Sequence, residues 1–537
     1  MKQKNCLSPL VFLALLSLCL MTPWSPSMGQ SWAWQTTFGG VGSEGLSALA
    51  ANNLGPIFGG SYDQAFSFLG QNVPSPSNRD LLVGQLDQNG DLLWLESPGS
   101  LQTDRLAQVR TTPEANTWWL GDFWETLTWG DSIWAAPNDG QAIFLVQTDA
   151  SGQVLEHRTV QGSASIEAID MVQDEAAIYL LGTFTGSLNI GNQSLTTTAD
   201  RAGFLAKLDL ENGWQWGIAL DGVGLIRPTA LSRHDEGLYV VGAFNDTLQN
   251  STAQLVAETW DWDGFVASYS TDGEALWLQK VGAQYDDFLQ SISINSDGHL
   301  FVAGTFLGVL ETENGWSVQT PGFNTNVLWL ELDASGNPLK LTTWGNLAEE
   351  ESLTLQGFQT GALLTGRMGP SMVLGTQAIA GEDGLDNGFL AGISTEGRVN
   401  WGVSLQATEL ILATEMALSP SGDIYVGGAF QGELMLDSIL DNAGQFDGFM
   451  ARLAPAVLPA VENPLGWSVK VSPNPSNGVF FLEAPLGAQY RLLTTDGILL
   501  EAGELRSAQA LFQQERGSYF LEIQWKGRTV IEKIIVQ

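Results

Sequence analysis

Carboxylates are the side chains best placed to do chemistry in this sequence. Six of them, Glu44, Asp104, Glu167, Asp287, Glu351 and Glu409, recur at a similar point of a long repeat. Gathered around one opening, they could hold a hard cation such as calcium through oxygen, or dock a cationic ligand. A pair at a suitable separation could serve as the acid and base of a polysaccharide hydrolase or lyase. The same residues could instead cap backbone N–H groups where a strand begins. At the matching point of the fourth unit stand Ile226 and Arg227. Other chemically capable residues are sparse. His157, His234 and His299 fall in separate units, so no zinc cluster is expected, and they read as structural or solvent-facing. There is no nucleophile elbow, phosphate loop or redox motif. No catalytic residue and no cofactor is evident, with calcium the one candidate ion.

The elements that position these residues come from a repeat. A glycine recurs in IFGGSY (Gly60), WWLGDF (Gly121), YLLGTF (Gly182), YVVGAF (Gly242), FVAGTF (Gly304), LLTGRM (Gly366) and YVGGAF (Gly428), at steps of 60 to 62 residues. A second set, Gly90, Gly152, Gly213, Gly273, Gly336 and Gly397, follows Asp, Asn, Ser or Glu between alternating runs and reads as hairpin turns. Trp94, Trp216, Trp277 and Trp401 open the next strand, with Glu156 and Lys340 in their place in two units. Four short antiparallel strands per unit, seven times over, predict an all-β, seven-bladed propeller. In the third unit the strands read Ile166–Val172, Ala177–Thr183, Gly203–Asp209 and, taken across the turn from the unit before, Gln153–Val160. The last unit lacks a Trp-type strand, so the segment Trp32–Phe38 is expected to complete it and close the ring.

The loops Asp261–Trp262–Asp263–Gly264, Asp383–Gly384–Leu385–Asp386 and Asp441–Asn442–Ala443 are expected on the same face as the acids, as ordinary turns or as calcium ligands. Unit two concentrates Trp118, Trp119, Phe123, Trp124, Trp129 and Trp134. Exposed in a row they would stack sugars. Alternation puts Trp118 and Trp119 on opposite sides of one strand, which favours packing between blades.

The ends of the chain differ from its middle. Lys2 and Lys4, an apolar run from Leu10 to Met21 and a small polar stretch read as a secretory signal over residues 1–30. That run is too short to span a bilayer, so no transmembrane segment is expected in the mature chain. Cys6 and Cys19 both lie in this signal, and the mature protein is expected to hold no disulfide. The net charge of −37 falls on the middle, because the segment from Trp467 onward has seven basic and seven acidic residues. Such a field disfavours nucleic acid and suits solubility outside the cell. The expected domains are a propeller over 31–453, a Pro- and Ala-rich linker over 454–466 and a small Ig-like β-sandwich over 467–537.

The units resemble bacterial secreted propeller repeats, most clearly in GLYVVGAF with DWDGFVASY. That family implies a fold and no shared activity. The last segment resembles the C-terminal sorting domain of type IX secretion cargo. The matching residues are the PNPSNG turn (Pro473, Asn474, Pro475, Gly478), Asp496–Gly497, Gly517 with Tyr519, and Lys533 in the terminal KIIVQ. The resemblance implies the type IX machinery as partner and a secreted or outer-surface location after signal cleavage. The expected function is a non-enzymatic binding or adhesion protein with a glycan or protein ligand on one propeller face. A polysaccharide hydrolase or lyase, or a purely structural surface protein, are the alternatives.

Overall fold

A computed structural model describes residues 31–454 and 470–536, apart from 113–114, 137–139, 258–260, 296, 313–314, 320–324, 345–352, 359–360, 370, 375–376, 382–384, 395–396, 473–478, 484–486, 495–498, 507–508, 514–515 and 526–527. Every regular element among the described residues is a strand. These residues form two compact units, one ending at Ala454 and one starting at Lys470.

The first unit is a seven-bladed β-propeller. Each blade is an antiparallel sheet of four main strands, as in blade 4: Ile226–His234, Gly237–Phe244, Asp263–Ser270 and Ala275–Val281, with a short hairpin, Thr247–Gln249 and Gln254–Val256, between the second and third. The second strand is buried along nearly its whole length, as in Ala177–Phe184, because neighbouring blades cover both its faces. The outer strand is mostly half-buried, as in Val154–Gly162, where Leu155 and His157 are exposed and Val160 is buried. One expectation is corrected here. Val154–Gly162 pairs with Gln141–Thr148 and belongs to blade 2, while blade 3 takes Gly213–Val223 as its outer strand. A tight Gly turn holds its two strands in one sheet, so no strand crosses to the next blade at these positions.

The phased glycine marks a bulge. In six blades the innermost strand slips register opposite it, for example between Leu289 and Ser291 facing Gly304. The slip drives a backbone carbonyl into the space a Cβ would need. An added Cβ would lie 2.2 Å from the Phe288 oxygen at Gly304 and 1.9 Å from the Gly45 oxygen at Gly60. Only glycine tolerates that approach. The outer-strand tryptophans tie blade to blade. Indole Nε1 of Trp34, Trp216 and Trp277 donates to the carbonyls of Gln88, Thr271 and Ala334 in the turn of the next blade, at 3.0, 3.2 and 3.1 Å.

Closure joins the two ends of the ring. Trp32–Phe38 runs antiparallel to Asp447–Leu453 and is the outer strand of blade 7, whose other strands are Leu410–Leu418 and Ile424–Gln431. Its first N–H donates to Asp437 Oδ2 at 2.6 Å. The second unit has a three-stranded sheet (Lys470–Ser472, Val479–Glu483, Gln509–Gln513) and a four-stranded one (Leu499–Glu504, Gln489–Thr494, Gly517–Trp525, Arg528–Val536). Phe480, Leu482, Leu492, Phe512, Leu521 and Ile523 form its core. Deleting Ser31–Gly40 is expected to lower the propeller's melting temperature sharply, followed by circular dichroism. Unchanged melting would contradict closure by this strand.

Candidate binding site at the channel mouth

Seven innermost strands surround a central channel. Its inner part is a cavity of about 530 Å³ reached by Leu49, Val109, Asp170, Leu231, Ile292, Leu355 and Met416, one from each blade. Asp170 is fully engaged there. Its Oδ1 accepts from Arg110 Nη2 (3.0 Å) and Gln108 Nε2 (3.2 Å), and its Oδ2 accepts from the Leu231 N–H (2.9 Å). It is a structural anchor among three blades.

A larger cavity of about 750 Å³ opens at the end where innermost strands begin. Thr229, Gln290, Thr354 and Thr414 supply neutral hydrogen-bonding groups to its wall. Its rim carries Arg201, held by Glu167 Oε2 at 2.7 Å, and Arg227. The Arg227 guanidinium lies 5.3 Å from the ring centre of Trp262, and Trp262 lies 5.8 Å from Phe288. Arg227 stands on the exposed start of the blade 4 inner strand. Trp262 comes from the loop leading into the third strand of the same blade. The first and third strands both pair with the second, and this brings the two residues together. This arrangement offers cations, aromatic faces and hydroxyls in one concavity, a combination suited to an oxygen-rich ligand bearing negative charge. Glu415 lies on the walls of both cavities, and burial pushes its carboxyl up to about 8, with Arg110 opposing and Asp170 adding to the rise.

The structure separates the five described acids of the six read from the sequence. Glu44, Asp104 and Asp287 are buried at the seams between blades, 1% exposed or less. Each caps the N–H four residues earlier: Gly40, Ser100 and Ala283 donate at 3.1, 2.7 and 3.1 Å. Glu167 sits at the cavity in its pair with Arg201, and Glu409 is exposed. These five therefore do not share one environment, and no group of three or more His, Cys, Asp or Glu residues able to hold a metal occurs among the described residues. Glu351 lies outside those residues, as do residues 1–30, Pro473, Asn474, Pro475, Gly478, Asp496 and Gly497. Gly517 and Tyr519 lie on the strand Gly517–Trp525, and Lys533 on Arg528–Val536.

The remaining candidates are dispersed. His157 stacks on Trp134 with ring centres 4.5 Å apart, and His299 Nδ1 meets Glu331 Oε1 at 2.8 Å. Trp118, Trp119, Trp129 and Trp134 are buried, which rules out a row of exposed rings in blade 2; Trp124 is exposed. The Arg227–Trp262 contact was not foreseen. The one available signal was the break in the acidic pattern at Ile226 and Arg227.

No family model and no curated protein matches this chain. Among solved structures, one match is PorZ of Porphyromonas gingivalis, described as an essential bacterial surface component of the type IX secretion system. It is 11% identical, over 94% of this chain and 100% of that one, with a TM-score of 0.16. Another is a member of the DUF4221 family from Bacteroides vulgatus, 8% identical, over 63% of this chain and 93% of that one, with a TM-score of 0.25. Superpositions this poor carry no argument. The class of the protein, a seven-bladed propeller with a separate small β unit, rests on its own sheet topology.

Burial sets a pH dependence. It is the largest cause raising Glu44 and Asp104 to about 7, Glu415 to about 8 and Asp287 to about 9. Each binds its proton more tightly folded than unfolded. Their stabilisation is complete below the ordinary carboxylate range and is lost as pH rises through 7 to 9. The turn carboxylates Asp149 and Asp209 are held low, by the Ser151 hydroxyl and the Asn212 N–H first, and stay ionised throughout. In chelator-treated protein the melting temperature is expected to fall from about pH 5 to about pH 9. Glu415→Gln should flatten the fall, and a rising curve would contradict the assignment.

Proposed function

We propose that this chain is an exported, non-enzymatic propeller that binds an acidic saccharide in the mouth of its channel. One observation carries the reading. In a chain of net charge −37, the cavity gathers Arg227 against Trp262 and Phe288, with Arg201 paired to Glu167, and threonines, Gln290 and Glu415 in its wall. Guanidinium groups pair with carboxylate or sulfate, and aromatic faces stack on sugar rings. Screening on an array of neutral, uronic and sulfated glycans is expected to select the charged members. Arg227→Ala and Trp262→Ala should each weaken binding about tenfold, near 1.4 kcal/mol. Binding by both variants as tight as that of the unaltered protein would sink the proposal.

Polysaccharide cleavage is the second reading, favoured by Glu415 alone. A carboxyl raised to about 8 and set against the cavity is a protonated acid at neutral pH, and Glu167 beside Arg201 is the carboxylate that could accompany it. Release of reducing ends from the selected glycan, abolished by Glu415→Gln, would favour this reading over binding alone.

Export is the other half of the proposal. The secretory signal at residues 1–30 would take the chain across the inner membrane. Residues 467–537, a small β-sandwich carrying the PNPSNG turn, would then serve as the type IX sorting module. The compact core of the C-terminal unit supports an independent module. A reporter fused to residues 467–537 is expected to reach the surface or medium of a type IX-competent host. Periplasmic retention would contradict it.

A further inference from the structure

At four of the seven seams a backbone hydrogen bond brings two side chains of adjacent blades together. The N–H of Glu44, Asp104, Ile226 and Asp287 donates to the carbonyl of Phe446, Arg79, Arg201 and Trp262, at 2.8, 2.9, 3.0 and 2.7 Å. The next residue after each acceptor begins a third strand: Asp447, Asp80, Ala202 and Asp263. The seam partners are therefore Glu44 with Asp447, Asp104 with Asp80, Ile226 with Ala202, and Asp287 with Asp263. The Ile226–Ala202 seam forms the same bond with no charge, so the fold does not require acids there.

Capping accounts for only part of these carboxylates. Glu44 and Asp447 each use one oxygen to accept a backbone N–H, from Gly40 and Ala443 at 3.1 and 3.0 Å. Asp104 does the same with Ser100. The other oxygens, Glu44 Oε1, Asp447 Oδ1, Asp104 Oδ1 and Asp80 Oδ1, are buried and accept no hydrogen bond. Glu44, Asp447 and Asp104 are 3% exposed or less. A buried carboxylate oxygen without a donor is costly, and a second carboxylate beside it compounds the cost.

The seam between blades 4 and 5 shows one solution. Lys280 Nζ lies 3.1 Å from Asp263 Oδ2 and brings a cation to the acid pair. Lys280 pairs with Phe265, two residues after Asp263; at the same point Thr37 pairs with Phe449, two after Asp447. The equivalent residue in blade 1 is Ser97, next to Glu96, which pairs with Val83. These two seams carry the acids without the lysine. Glycine also leaves room there: a Cβ on Gly39 would lie 2.4 Å from Asp447 Oδ1 and 3.0 Å from Glu44 Oε2, and one on Gly99 would lie 2.4 Å from Asp80 Oδ2.

We propose that these two seams each bind one divalent cation of the calcium class, through Glu44 with Asp447 and through Asp104 with Asp80. The ion takes the place the ammonium of Lys280 fills in the third acidic seam. Hard carboxylate oxygens suit calcium, and water completes the shell of a site with two protein carboxylates. Beside the first site Asp63 adds negative charge, its Oδ1 accepting the Ser43 N–H at 2.8 Å, and Arg79 adds positive charge while its Nη2 donates to the Ser43 carbonyl and hydroxyl at 3.3 and 3.2 Å, so it does not donate to the orphaned carboxylate oxygens. So sparse a ligand set implies affinity in the range of extracellular modules, about 10⁻⁴–10⁻³ M. The first ion would fasten the closing blade to blade 1. Binding at this site is independent of any saccharide in the channel.

The test uses the full chain lacking residues 1–30, stripped with chelator at about pH 8, where protons no longer compete, and in about 0.15 M salt to screen the general acidic field. Equilibrium dialysis with radioactive calcium at millimolar concentration is expected to find two ions per chain, with a melting temperature raised by several degrees. Glu44→Gln with Asp447→Asn should halve the bound calcium, and Asp80→Asn with Asp104→Asn should remove the other half. Both double variants should melt higher than the wild type in chelator, since each relieves a like-charge pair. No bound calcium in the wild type, or undiminished binding in either variant, would overturn the proposal.

Discussion

The structure depends on closing a ring whose two ends are far apart in the chain. Trp32–Phe38 must pair with Asp447–Leu453 before blade 7 has its outer strand or blade 1 its second neighbour. Blades cannot bury both faces alone, so each one draws its stability from packing on the next. The closing strand adds a ladder of backbone hydrogen bonds and a further bond from the Ala454 N–H to the Ser31 carbonyl (2.8 Å). It brings Trp34 to the turn of blade 1 through the Gln88 carbonyl, the same contact that Trp216 and Trp277 make at their own seams. Closure is thus one more use of a joint that the repeat already contains.

The joints also set where charge can sit. The hydrogen bond that aligns neighbouring blades places two side chains face to face, and the repeat fills that place with acid pairs, with Ile226 and Ala202, or with acids and a lysine. Burial then makes ionisation unfavourable, which is why Glu44, Asp104 and Asp287 all rise. Blade 4 departs from the acidic pattern. Freed of a buried acid, its inner strand presents Arg227 toward Trp262, and the channel mouth gains its cationic and aromatic rim on that side.

Much of the propeller was legible from the chain. The phased glycines reported blade number because a bulge presses a carbonyl against each, and this demand repeats with the blade. The turn glycines reported hairpins because they sit at positive φ, as at Gly90 (88°) and Gly273 (85°). Assigning Gln153–Val160 to the third unit failed for an instructive reason. A strand between two turns can pair on either side, and only the sheet shows that it stays in blade 2.

The site was far less legible. Glu44, Asp104, Glu167, Asp287 and Glu409 look alike along the chain. In the fold three cap turns at buried seams, one pairs with Arg201 and one faces solvent. A shift of one residue along a strand turns a side chain to the opposite face, so similar spacing did not guarantee a similar environment. Partners such as Glu44 and Asp447 lie at opposite ends of the ring and meet only through closure. By itself the sequence determined the repeat, its turns, its acidity and the closing strand, because these follow from local backbone demands recurring in phase. Only the tertiary structure decided which carboxylates are buried together and where Arg227 finds Trp262, because those contacts are made across blades and loops.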